Sequence, residues 1–288
     1  MSPLRRPLEI AVVTALVVVA LVLVVLALAS SNDPPPVAAD DDTAPRAHST
    51  ADSDRTPEAT GTDAPSAPDG PGRSTLERAR KVLLKTKPLD VLVLGDSSSN
   101  GPFEWPAQWA RNLVADRTVL IRLWDDGSES FAPPLRPQSS GQTFTVWNLS
   151  TEGVAASYGT AHLDAVPADP ELVLVNYGHF NTPDDIGPQL DALLAGVRER
   201  WAGVPVVLML QNPTLDSRAG EQAQIVAYLR QTWSVENGVP TIDVESVFRE
   251  QGDLAPLLAD NTNPSDAGTA LWTDEVTRQL TPGALPGG

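Results

Sequence analysis

Five short, nearly all-apolar runs recur along residues 74–288, with longer amphipathic stretches between them. The runs lie at 89–94, 143–149, 171–176, 204–210 and 239–244. The stretches with helical spacing lie at 76–85, 105–115, 186–201, 219–234 and 264–280. A run that is apolar on both faces has no side to give to water, so it belongs inside a sheet covered on both faces. Alternation of such strands with helices predicts an α/β domain: three αβα layers, flavodoxin-like, around a parallel five-stranded sheet. The stretch 124–142, with Asp125-Asp126-Gly127 and Pro133-Pro134, reads as a long loop between the first two strands. Its aspartate pair reads as solvated rather than as a metal site.

The remainder of the chain has a different character. Residues 10–29 carry no charge and follow Arg5 and Arg6. Twenty helical residues span about 30 Å, the thickness of a bilayer core. Residues 1–30 therefore read as a single-pass membrane segment, with the basic flank in the cytoplasm and the rest of the chain outside. Ala27-Leu28-Ala29 also fits a signal-peptidase site, and cleavage there would give a secreted protein; the length of the run favours an uncleaved anchor. Residues 31–73 are rich in Pro, Asp, Ala, Thr and Ser, with Pro34-Pro35-Pro36 and Asp40-Asp41-Asp42. Such a segment buries too little apolar surface to offset ordering and reads as a disordered tether of roughly 35 Å mean reach. His48 lies in it and has no role.

Composition excludes several classes. The net charge of −17, from 37 acidic against 20 basic residues, argues against nucleic-acid binding. The absence of cysteine excludes thiol chemistry, and three histidines leave little for zinc. No metal or cofactor is expected.

In doubly wound sheets ligands gather beyond the carboxyl ends of the strands. The first strand runs into Gly95-Asp96-Ser97-Ser98-Ser99, where a serine at the start of a helix would meet backbone N–H groups suited to an oxyanion. Taken alone, Asp96 and Ser97 also fit a helix cap. The second run leads into Asn148-Leu149-Ser150-Thr151-Glu152-Gly153, whose glycine fits a turn or a bare N–H facing the same crevice. The third leads into Asn176-Tyr177-Gly178-His179-Phe180-Asn181, in which the Asn181 amide is a candidate oxyanion donor. Near the C-terminus stands Asp260-Asn261-Thr262-Asn263-Pro264, with Gly268 beyond. There Pro264 fits the first position of the last helix, with Asn263 as its cap.

Together these four segments resemble the SGNH (GDSL-type) hydrolase family over about residues 88–280. The resemblance implies ester hydrolysis through a serine acyl-enzyme without a metal, often on acylated sugars or lipids. It implies Ser97 as nucleophile, the N–H groups of Ser97 and Gly153 with the Asn181 amide as oxyanion hole, and Asp260 as orienting acid. Two positions depart from the family. Phe180 stands where the oxyanion asparagine belongs, with Asn181 one residue later. Asn263 stands where the catalytic histidine belongs, and a carboxamide is no base for a serine hydroxyl. His179 is the alternative base; Asp260 acting directly and His162 are weaker candidates. The expected function is a membrane-tethered, extracytoplasmic esterase or deacylase on envelope glycan or lipid esters. The alternative is a degenerate domain that binds an acylated glycan or a protein without turnover. Phe103, Trp105, Trp109, Trp124, Tyr158 and Tyr177 are aromatic candidates for a groove, with no role assigned.

Overall fold

The computed structural model describes residues 71–85, 87–113, 117–137 and 141–281, all within one compact unit, Pro65–Gly288. The membrane segment and nearly all of the tether lie outside the described residues. Among the described residues no helix is long and apolar enough to cross a membrane.

In chain order the elements are α1 (Pro71–Leu83), β1 (Leu89–Gly95), α2 (Trp105–Arg111), β2 (Arg117–Asp125), β3 (Ser130–Phe131), β4 (Gln142–Ser150) and α3 (Ala156–His162). They continue with β5 (Leu172–Asn176), α4 (Ile186–Arg200), β6 (Val206–Leu210), α5 (Ala219–Tyr228), α6 (Ser234–Asn237), β7 (Thr241–Asp243), α7 (Val244–Glu250) and α8 (Asp266–Leu280). The sheet order is β3-β2-β4-β1-β5-β6-β7. All pairings are parallel except β2 with β3.

The central strand shows why there are three layers. Side chains alternate along a strand. Val91 and Val93 enter one core with Trp105 and Trp109 of α2, Phe248 of α7 and Trp272 of α8. Leu92 and Leu94 enter the other with Ala156 of α3, Leu190 and Leu194 of α4, and Ile225 of α5. All four strand residues are fully buried. At about 1.5–3 kcal/mol for each such side chain, β1 anchors both layers.

The three-layer α/β fold is as expected, but the sheet has seven strands, not five. The two additional strands sit at one edge, in and beside the stretch read as loop. β2 carries Arg117, Thr118 and Arg122 between its buried Val119, Ile121 and Trp124, so it does not read as an apolar run. The charges are accommodated because this strand lies near the edge: the Arg122 guanidinium covers the Trp147 ring at 4.8 Å, and Arg117 Nη2 donates to the Leu83 carbonyl at 2.6 Å. β3 closes the edge as Trp124 pairs with Phe131. Two helix starts also differ. α1 begins at Pro71, inside the span read as tether, because proline suits the first helical position. α8 begins at Asp266, with the Ser265 hydroxyl accepting from the Gly268 N–H at 3.3 Å, so Asn263 is not its cap. The backbone before it is engaged in a loop, where Ala259 N–H donates to the Asn263 carbonyl at 2.8 Å. That leaves the Asn263 side chain free to point elsewhere.

Candidate active site

β1 delivers Ser97 to the carboxyl edge of the sheet on a turn held from several sides. Asp96 is fully buried. Its Oδ1 accepts from the Ser98 N–H at 3.1 Å and the Ser98 hydroxyl at 2.9 Å, and its Oδ2 accepts from Gln211 Nε2 at 2.9 Å. Asn148, at the end of β4, donates from Nδ2 to the Ser99 carbonyl at 2.6 Å. Asn176, at the end of β5, donates to the Ser98 and Ser99 hydroxyls. Thus polar side chains at or just past the ends of β4, β5 and β6 fix the Ser97 turn.

Ser97 Oγ donates to Asn263 Oδ1 at 2.7 Å. Asn263 Nδ2 donates to Asp260 Oδ2 at 2.8 Å, and the Asn263 N–H donates to Asp260 Oδ1 at 2.7 Å. The Thr262 N–H adds a third bond to that carboxylate at 3.1 Å. A carboxylate only accepts, so the amide nitrogen must face Asp260 and the amide oxygen must face Ser97. Burial works to raise the Asp260 pKa but is outweighed by the bonds from Asn263 and Thr262, which hold the carboxyl below its ordinary value. The three residues form one continuous chain in the order serine, amide, carboxylate. The carboxamide oxygen can accept the hydrogen bond from Ser97, but it cannot take the proton at neutral pH.

The other candidates fall differently. Gly153 is exposed at φ +73°, a conformation that favours glycine, and among the described residues its N–H donates to no acceptor. Asn181 is fully buried, and its amide faces inward. Nδ2 donates to Asp185 Oδ1 at 2.7 Å and Gln189 Oε1 at 3.0 Å, while Oδ1 accepts from the Ala156 N–H at 3.2 Å. Both amide hydrogens are therefore committed to the start of α4. The expectation that Asn181 offers them to an oxyanion is corrected: arriving one residue late turns the side chain into the protein. Phe180, at the aligned position, has no donor.

Nor does the structure link His179 to Ser97 by a hydrogen bond. Its Nε2 bonds the Asn212 carbonyl at 2.9 Å, so that nitrogen carries the hydrogen. Its Nδ1 is buried and has no partner among the described residues. His162 ends α3, with Nδ1 against the Tyr158 carbonyl at 2.9 Å and its ring stacked on Tyr158. Trp105, Trp109 and Tyr177 are core residues, whereas Phe103 is 74 % exposed. Asp125 folds back onto Gly127 and Ser128, and Asp126 accepts from the Tyr158 hydroxyl. Among the described residues no cluster of three or more histidines or carboxylates is placed to hold a metal.

Four residues of this region were not singled out from the sequence. Gln211 joins the first and third segments: besides Asp96, it binds the His179 N–H through Oε1 at 2.7 Å. Asn212 reaches the fourth, donating to the Thr262 carbonyl at 2.8 Å. Arg218 clamps the third loop through the carbonyls of His179, at 2.6 Å, and Asn181. The signal for the first two was present: both are polar and directly follow the apolar run of β6, at the sheet edge where ligands gather. The fourth, Glu104, precedes α2, and its carboxyl is pushed up to about 7 by burial, then by the charge of Asp266.

No protein-family model matches the chain, and no curated protein does. Solved structures do. An acetylxylan esterase from Geobacillus stearothermophilus superposes with a TM-score of 0.50 at 17% identity, covering 69% of this chain and 97% of that one. A lipase/acylhydrolase from Enterococcus faecalis gives 0.48 at 17% identity, over 67% and 98% of the two chains. A lipolytic protein of the G-D-S-L family from Veillonella parvula gives 0.47 at 11% identity, over 66% and 97%. The likeness to the acetylxylan esterase is one of fold, and it agrees with the order of the four segments around the sheet edge: residues 71–281 have the fold of the SGNH (GDSL-type) hydrolases.

Proposed function

We propose that this domain acts on acyl esters through Ser97, as a serine esterase of low intrinsic turnover, with an acylated envelope glycan or lipid as its substrate. The observation that carries the reading is the unbroken Ser97–Asn263–Asp260 hydrogen-bond chain at the carboxyl edge of the sheet. The fold is shared with an acetylxylan esterase that has been studied as catalytic mutants at a serine, an aspartate and a histidine, the last being the residue type that Asn263 replaces here. In the proposed step Ser97 Oγ attacks the ester carbonyl, and the N–H groups of Ser97 and Gly153 face the developing oxyanion. Asn263 holds the serine hydroxyl in place, and Asp260 holds Asn263. Because Asn263 is no base, the hydroxyl proton passes to water. The ester C–O bond then breaks, and the alcohol leaves with a proton from water. A further water hydrolyses the acyl-enzyme, which releases the acid and restores Ser97. The unassisted proton transfer limits the rate. Serine hydrolases lacking one triad member keep roughly 10³–10⁴-fold acceleration over water from binding and oxyanion contacts, and activity here should be of that order. Residues 10–29 would anchor the chain, and residues 31–73 would hold the domain away from the membrane on its outer side.

A second reading is favoured by the same amide and by the inward-facing Asn181: the crevice holds an acylated ligand and releases it uncleaved. Hydrolysis of p-nitrophenyl acetate by wild-type protein, beside Ser97→Ala, separates the two. Turnover above the variant supports the esterase. Equal rates, together with retained binding of an acylated oligosaccharide, support binding alone.

A further inference from the structure

Among the described residues two that are not glycine have φ in the left-handed region, Glu129 at +46° and Asn261 at +68°. That conformation crowds a Cβ against the following carbonyl oxygen, so few side chains other than asparagine and aspartate adopt it. Glu129 stands in the hairpin loop between β2 and β3, where such a residue is common. Asn261 stands between Asp260 and Thr262, in the loop that carries the carboxylate and the amide of the Ser97 chain. Its side chain is exposed and makes no hydrogen bond among the described residues. What this position contributes is therefore its backbone.

A turn with a left-handed residue can aim consecutive N–H groups at one point, forming a concave nest for an anion. Here the N–H groups of Thr262 and Asn263 converge on Asp260 Oδ1, at 3.1 and 2.7 Å. The carboxylate is thereby fixed, and its Oδ2 is placed to receive Asn263 Nδ2 at 2.8 Å. The other end of that amide accepts from Ser97 Oγ at 2.7 Å.

An unfavourable backbone conformation persists where its surroundings over-determine it. The connection after β6 does so from outside the loop. The Leu215 N–H donates to the Asn261 carbonyl at 2.7 Å. Asn212 Nδ2 donates to the Thr262 carbonyl at 2.8 Å, and the Thr262 hydroxyl donates to Asp216 Oδ2 at 3.2 Å. Asp260 thus holds the loop from within and residues 212–216 hold it from without, and both sets of bonds require the turn at residue 261.

We infer that Asn261 is a positioning residue of the proposed site: its left-handed backbone, pinned by the Leu215 N–H, sets Asp260 under Asn263 and Asn263 against Ser97. The role rests on the esterase reading above.

The test is p-nitrophenyl acetate hydrolysis by the full-length protein, taken as the rate above Ser97→Ala. Asn261→Gly, which adopts the turn freely, should keep kcat within about twofold. Asn261→Val, whose branched side chain resists it, should lower kcat about tenfold and leave KM within about twofold. Asn261→Ala strains the turn less and should lower kcat about threefold, which keeps the test readable where Asn261→Val does not fold. A second measurement is independent of turnover: the nuclear magnetic resonance signal of the Asn263 side-chain amide, in protein with isotopically labelled asparagine. It should stay in place in Asn261→Gly and move to the position of a solvent-exposed amide in Asn261→Val. Wild-type kcat in Asn261→Val overturns the inference. So does an equal loss in Asn261→Gly, which would assign the effect to the side chain. If wild type runs no faster than Ser97→Ala, the esterase reading fails and the amide signal decides alone: unmoved in Asn261→Val it overturns the positioning role, and moved it upholds Asn261 as the support of Asn263.

Discussion

Replacing Asn263 with histidine tests the proposed site at its weakest link. The amide spans Ser97 and Asp260 with bonds of 2.7 and 2.8 Å. Its own oxygen and nitrogen lie about 2.3 Å apart, given carbonyl and C–N bonds of about 1.23 and 1.33 Å. An imidazole presents its two nitrogens across a similar span. Its Nδ1–H would take the place of Nδ2 against Asp260, and Nε2 would face Ser97 Oγ. Asp260 is already ionised and bound to the backbone N–H groups of residues 262 and 263, so the orienting partner is in place. General-base assistance is worth about 10²–10⁴-fold, or roughly 3–5 kcal/mol of barrier. Asn263→His should raise kcat/KM for p-nitrophenyl acetate by that factor. The gain should rise with pH through the imidazole range and lie above the ordinary value near 6.5, because the Asp260 carboxylate favours the charged ring. It should disappear in Ser97→Ala/Asn263→His and fall sharply in Asp260→Ala/Asn263→His. A folded Asn263→His protein with no gain would refute the reasoning, as would a gain that survives loss of Ser97. Either would mean that Ser97, Asn263 and Asp260 are not a nucleophile, an acceptor site and its support.

Other perturbations probe the frame around the site. A methyl group added at Gly268 would sit 2.1 Å from the Leu257 carbonyl oxygen, so Gly268→Ala should destabilise the domain by about 3 kcal/mol, measured as a lowered denaturant midpoint. Gln211→Ala should cost about 3 kcal/mol in the same assay, because it leaves the buried Asp96 carboxylate and the His179 N–H each short of a partner; a loss below about 1 kcal/mol would argue against the keystone role. Glu104 has a folded pKa of about 7 against 4.5 unfolded, so the folded state holds a proton that the unfolded chain releases between those values. Stability should therefore fall as pH rises from 4.5 to about 7 and level off above, and Glu104→Gln should remove that part of the slope in thermal melts. Parallel pH profiles for the two proteins would rule out this assignment.

Local pattern carried much of the architecture. Apolar runs that end in polar turns located β1, β4, β5, β6 and β7 and the four segments that meet at their ends, because burial on both faces leaves no room for polar residues inside a strand. β2 escaped detection since its arginines are tolerated only near an edge, beside Trp147 and the Leu83 carbonyl. Gly268 was legible as part of a segment, but its reason, the approach of the Leu257 carbonyl, was not.

The chemistry of the site divides in the same way. The sequence alone determined that Ser97 follows a buried strand, that Asp260 and Asn263 lie three apart before the last helix, and that the histidine expected there is missing. Only tertiary structure decided that Asn263 bridges the other two, that Asn181 turns inward to Asp185 and Gln189, and that His179 is tied to Asn212. It also set Asn261 in the left-handed region, pinned by the Leu215 N–H. Side-chain direction in a loop is set by which distant donors and acceptors pack around it, and no local period encodes that.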